Sequence, residues 1–173
     1  MPNWCMNTLY LTHADQEEID RAEKALERGE FMNEFLPTPP NEDWYNWNIN
    51  HWGTKWDVEA STLYNEYGSI RATYDSAWAP PILFYQHLYH IGFEVKALYF
   101  EPGVNFCGIF DEGEDCHYSL SGLRSKQVKD LIPQELEVEF GILGYLSESD
   151  SESESDTESE SDSDSESERV IVL

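Results

Sequence analysis

The chain has 173 residues and a formal net charge of −25, with 35 acidic side chains against 10 basic ones. That length suits one folded domain with an appendage. So acidic a chain repels nucleic-acid phosphates and anionic membrane surfaces, which disfavours direct nucleic-acid binding but allows a basic protein partner or mimicry of DNA.

Met1-Pro2-Asn3-Trp4-Cys5 offers neither a basic n-region nor an apolar h-region, and no run of about 18 apolar residues follows, so a protein that stays in the cytosol is expected. Asn7–Thr12 alternates polar and apolar residues as a half-buried first strand. Asp15 then caps an amphipathic helix, with Glu18 as its capping-box partner, Ile19, Ala22 and Leu26 as one apolar stripe, and Gly29 as its stop. From Glu30 to Asn50 a long irregular loop is expected, made extended by Pro37, Pro39 and Pro40 and pinned by Trp44, Tyr45 and Trp47.

Strand patterns resume at Trp56–Ser61 and Ser69–Tyr74, a hairpin joined through a turn that includes Gly68. Pro80 and Pro81 open a second helix, apolar from Ile82 to Ile91, and Phe93–Phe100 reads as a fourth strand. Phe106–Phe110 and His117–Leu120 flank an acidic turn and extend the sheet. Ser125–Leu131 predicts a short helix ended by Pro133, and the alternation of Glu135–Phe140 predicts an edge strand or a strand of an extra layer. The order β, α, β, β, α, β through residue 100 is the split βαβ pattern. An α+β, ferredoxin-like sandwich over residues 1–146 with additional C-terminal strands is therefore expected.

From Ser147 to Glu168 every odd position is Ser or Thr and every even one Asp or Glu, which predicts a disordered anionic tail without apolar side chains. The tail holds eleven acids and Arg169 returns one positive charge, so residues 1–146 carry −15 of the −25. Regularly spaced carboxylates either imitate a polyanion for a Lys/Arg groove or serve only as a solubilising spacer. The closing peptide, residues 169–173, is apolar and β-prone, suited to adding onto a sheet edge or to folding back.

Four motifs carry a family likeness: Pro2-Asn3-Trp4-Cys5-Met6-Asn7, Trp52-Gly53-Thr54-Lys55-Trp56-Asp57, Ser76-Ala77-Trp78-Ala79-Pro80-Pro81 and Glu101-Pro102-Gly103-Val104-Asn105-Phe106-Cys107-Gly108. Together, over roughly residues 1–120, they resemble the YubB-type ferredoxin-like domain family of phages and plasmids. The resemblance implies the fold, a mobile-element origin and a bacterial host cytoplasm, and it hands over no catalytic residues. The tail and the segment from Arg124 to Leu146 lie outside the family pattern.

In a split βαβ sheet the first two strands run one way and the next two the other, which brings the four motifs to one end. Trp4, Asn7, Trp52, Lys55, Trp56, Asp57, Trp78, Glu101 and Asn105 are thus the candidate binding residues. The bland alternative is that the tryptophans plug an open sheet end, with Lys55 paired to Asp57 or Glu101 and Asn7 tying down a turn. Cys5 with His51 or His117 makes a poor thiol and base, and Cys5 reads as a small core residue. The three cysteines lack C-x-x-C spacing and the histidines lack ligand spacing, so no metal, cofactor or catalytic residue is assigned.

The leading expectation is a non-catalytic interaction protein, an acidic DNA mimic acting in counter-defence or on a host nucleic-acid machine by binding a host protein with a basic surface. The alternatives are a small-ligand or enzymatic domain at the aromatic end of the sheet, and an accessory protein whose tail is only a spacer.

Overall fold

The computed structural model describes residues 3–153, with only the backbone course for residues 148–153. The protein is mixed α+β, built on a six-stranded sheet that is antiparallel throughout. Strand β1 (Trp4–Thr12) leads into helix α1 (Gln16–Glu27), and two short helices follow, α2 (Phe31–Phe35) and α3 (Trp44–His51). The hairpin β2 (Thr62–Glu66) and β3 (Ser69–Ala77) precedes helix α4 (Ile82–His90). Strands β4 (Glu94–Glu101), β5 (Phe106–Asp111) and β6 (Glu114–Ser119) come next, then helices α5 (Ser125–Leu131), α6 (Gln134–Phe140) and α7 (Ile142–Ser153). The sheet order is β2-β3-β1-β4-β5-β6.

Because side chains alternate across a strand, β1 feeds two cores. Leu9 and Leu11 join Ile19, Leu26, Phe31, Tyr85 and Leu88 under α1, α2 and α4, while Met6 and Tyr10 turn to the opposite face. There Leu98, Phe100 and Cys107 meet Val128, Leu136, Ile142 and Leu146 of the last three helices. The sheet therefore lies between two helical layers.

The structure corrects the sequence reading in four places. The segment from Glu30 to Asn50 contains α2 and α3 in place of a continuous loop, because Phe31, Met32 and Phe35 find a core to enter and Asp43 caps α3 by accepting from Tyr45 N–H. The hairpin begins at Thr62 instead of Trp56: Asp57 is engaged elsewhere, Val58 is buried, and pairing to β3 starts with Thr62 opposite Thr73. The expected capping box on α1 is half formed. Asp15 Oδ1 accepts from Glu17 N–H, but Asp15 N–H donates to His13 Nδ1, and Glu18 pairs with Arg21 instead.

The segment Glu135–Phe140 is helix α6 and not an edge strand. Its alternation also places Leu136 and Phe140 four apart on the core side, Val138 points to solvent, and Gly141 ends the turn with φ of 62°. Each glutamate also finds a partner from this helix: Glu135 pairs with Lys96, Glu137 accepts from the Leu143 N–H, and Glu139 engages Thr8 and Arg71. Helix α7 carries the helical backbone through Ser153. The rest of the acidic tract, residues 154–168, and the apolar peptide 169–173 lie outside the described residues.

Candidate functional site

The four motifs meet at one end of the sheet. Trp4 pairs with Ala77 and Met6 with Phe100, so the start of β1 sits between the ends of β3 and β4. Thr54 Oγ1 donates to the Ala77 carbonyl at 2.9 Å, which attaches the second motif to the third. Asn3 ties in the rest: its carbonyl accepts from Trp78 N–H at 2.9 Å, and its amide lies beside Gly103. A Cβ on Gly103 would stand 2.6 Å from Asn3 Nδ2 and 2.8 Å from Glu101 Oε1, a space that only glycine leaves open.

Eight of the nine candidates separate into two sets, and the ninth, Asn105, stands in the turn between β4 and β5. Asn7, Trp52, Asp57 and Glu101 face inward, where internal bonds use them. Asn7 Nδ2 donates to the Cys5 carbonyl at 2.7 Å and to Ser76 Oγ at 2.9 Å, and its Oδ1 accepts from the Tyr85 hydroxyl at 3.2 Å. Tyr85 in turn lies 2.6 Å from the Tyr74 hydroxyl, and burial pushes both phenols above their ordinary range. Trp52 Nε1 donates to the Leu36 carbonyl. Glu101 is buried, and its two oxygens accept from Gly103 N–H at 2.7 Å and Val104 N–H at 2.6 Å.

Asp57 caps α2 from a distant part of the chain, accepting from Met32, Asn33 and Val58 N–H, each at 2.8 Å. Burial raises its carboxyl above the ordinary aspartate range, against the opposing pull of those three donors. Asn105 takes φ of 62° in the turn between β4 and β5, a conformation asparagine tolerates, and its carbonyl accepts from Leu120 N–H. No side-chain N or O among the buried described residues lacks a hydrogen-bond partner.

Trp4, Lys55, Trp56 and Trp78 form the outward set. The indoles remain 47%, 39% and 52% exposed at Trp4, Trp56 and Trp78. Trp4 and Trp56 lie 6.2 Å apart between ring centroids. Lys55 pairs with neither Asp57 nor Glu101. Its Nζ sits 4.3 Å above the Trp56 ring and 5.5 Å from that of Tyr45, with no ion pair among the described residues. Tyr45 meets Trp44 edge to face at 5.9 Å, and both are about half exposed. Sequence reasoning treated Trp44 and Tyr45 as loop anchors; the helical turn of α3 brings Tyr45 to Lys55, with Trp44 against Tyr45.

The thiol chemistry considered for Cys5 has no geometry behind it. Cys5 is fully buried, and burial, with the charge of Glu101 second, drives its thiol far above the ordinary range. His51 stacks on Trp47 at 4.2 Å and His117 lies against Phe106 and Tyr99, neither of them against Cys5. Among the described residues no three His, Cys, Asp or Glu side chains form a metal-binding group. Nor is any described helix long and apolar enough to cross a membrane. A cleft of about 530 Å³ opens at the opposite end of the sheet, lined in part by Tyr10, Glu94, Lys96 and Asp111.

No family model matches the chain, and no curated protein does. Among solved structures the chain is similar to the crystal structure of a protein api92 from Yersinia pseudotuberculosis, of the DUF1281 family. The likeness has 18% identity and a TM-score of 0.38, and it covers 51% of this chain and 39% of that one.

Proposed function

We propose that this chain is a non-catalytic interaction protein of phage or other mobile-element origin, acting in a bacterial cytoplasm by binding a host protein with a basic surface. Its concrete form is an acidic inhibitor of a host nucleic-acid or defence machine that competes as DNA would. The observation that carries this reading is the division at the motif end. The groups able to do acid, base or hydrogen-bond chemistry are engaged internally, whereas Trp4, Trp56 and Trp78 are held half exposed on a rigid frame. Exposed aromatics on such a frame are the usual anchors of protein interfaces. The −25 charge selects cationic partners and speeds their encounter.

The frame itself supports a ferredoxin-like reading. The order β2-β3-β1-β4, with β1 antiparallel to both neighbours, is what a split βαβ unit produces, and β5 and β6 then extend it. The YubB-type likeness of the four motifs accords with that frame.

The test is retention of host proteins on the immobilised full chain across a salt series, beside a chain ending at Ser153. Capture of a basic protein at low salt, released as salt rises and weaker on the shorter chain, is the expected result. Retention of no basic protein, or retention indifferent to salt, overturns the reading.

A further inference from the structure

Resting on the reading of an acidic partner-binding protein, we propose that Trp44, Tyr45, Trp56 and Trp4, bridged by Lys55 and flanked by Trp78, form a docking surface for an arginine-rich segment of the partner. Its guanidinium groups stack on the indole faces. Four observations point there. First, the rings form a continuous row: Trp44 to Tyr45 at 5.9 Å, Lys55 between Tyr45 and Trp56, and Trp56 to Trp4 at 6.2 Å. Second, the row already holds a cation. In a chain with 35 acidic side chains Lys55 settles over Trp56 and Tyr45 and pairs with no carboxylate among the described residues.

Third, exposed acidic residues adjoin the row along the chain, with Glu42 and Asp43 just before Trp44 and Asp75 three residues before Trp78. A cation drawn to the rings therefore meets a complementary field, while an anionic or purely apolar segment does not. Fourth, Trp78 keeps φ of 71°, in the left-handed region that a bulky side chain disfavours, yet its indole is half exposed. Packing does not account for a tryptophan there, whereas presentation of an indole does. The planar, weakly hydrated guanidinium suits such faces better than an ammonium.

The measurement is a titration of the full chain with a short arginine-rich peptide, followed by tryptophan fluorescence and calorimetry, beside lysine-rich and apolar peptides. The arginine-rich peptide binds tightest. Trp56→Ala weakens it by roughly tenfold. Trp78→Gly weakens it comparably without lowering thermal stability, because glycine relaxes the positive φ. Lys55→Gln strengthens it by vacating the aromatic slot and removing a like charge. A purely structural aromatic plug would lose stability in the tryptophan variants and leave affinity unchanged.

Unchanged affinity in both Trp56→Ala and Trp78→Gly overturns the docking surface, as does an apolar peptide that binds equally well. If binding then disappears on shortening the chain to Ser153, the acidic tract is the site and the broader reading stands. If no cationic peptide binds the full chain at low salt, both fall.

Discussion

Trp78 and Cys5 mark two opposite ways in which one end of the sheet treats its side chains. Trp78 is exposed on a backbone conformation it does not favour, so its retention there calls for a reason outside the fold. Cys5, in β1, is enclosed and kept as a neutral thiol, and Cys107 is pushed up to about 12 by the same loss of water. Cys116 alone of the three is exposed. Titration with a thiol reagent is therefore expected to modify Cys116 promptly in the native protein, and Cys5 and Cys107 only on denaturation. Prompt native labelling of Cys5 would restore it as a candidate nucleophile.

At the scale of elements, α1 and α2 are held together by charge as well as by packing. Arg21 and Arg28 both bond Glu34, and Arg21 also lies 4.5 Å over the Phe35 ring. The hydrogen bond from Arg21 is the main cause that holds the Glu34 carboxyl below the ordinary glutamate value of 4.5. A carboxyl lowered in the fold contributes stability above its unfolded value and loses it as pH falls through the folded one. Glu34→Gln should therefore cost roughly 0.5–1 kcal/mol near neutral pH, the range for a surface pair. Urea denaturation should show the difference from the parent narrowing as pH falls below the ordinary glutamate value and on through the lowered one. A difference that persists unchanged in acid would mean that the pair contributes through packing alone.

For the whole molecule, the second helical layer draws the start of α7 into the core. Ile142 and Leu146 are buried with residues of α5, α6 and the sheet, within the expected domain of residues 1–146. A chain ending at Ser153 should keep the thermal midpoint of the full chain, or exceed it through reduced self-repulsion at low salt. One ending at Gly141 should lose several kcal/mol, since two large apolar side chains leave the core at about 2–5 kcal/mol each. Equal stability of the two truncations would remove α7 from the domain.

The sequence by itself determined the elements whose signals are local. Asp15 and Gly29 bracket α1, Pro80 and Pro81 precede α4, α5 falls on Ser125–Leu131 as expected, and the alternating runs of β1, β3 and β4 pair in the sheet. The gathering of the first, third and fourth motifs at one end was also legible, because strand direction dictates it, whereas the second does not open β2 and is held there by the Thr54–Ala77 bond. What only the tertiary structure decided are features whose partners lie far along the chain. Asp57 caps a helix that begins 26 residues earlier, which draws the following segment out of β2. The alternation of Glu135–Phe140 fits a strand and a helix equally, and the uncovered face of β4 and β5 selects the helix. The same holds for the site: nine residues were placed together by topology, but which turn inward to satisfy buried donors and which stay in water depends on packing that periodicity does not encode.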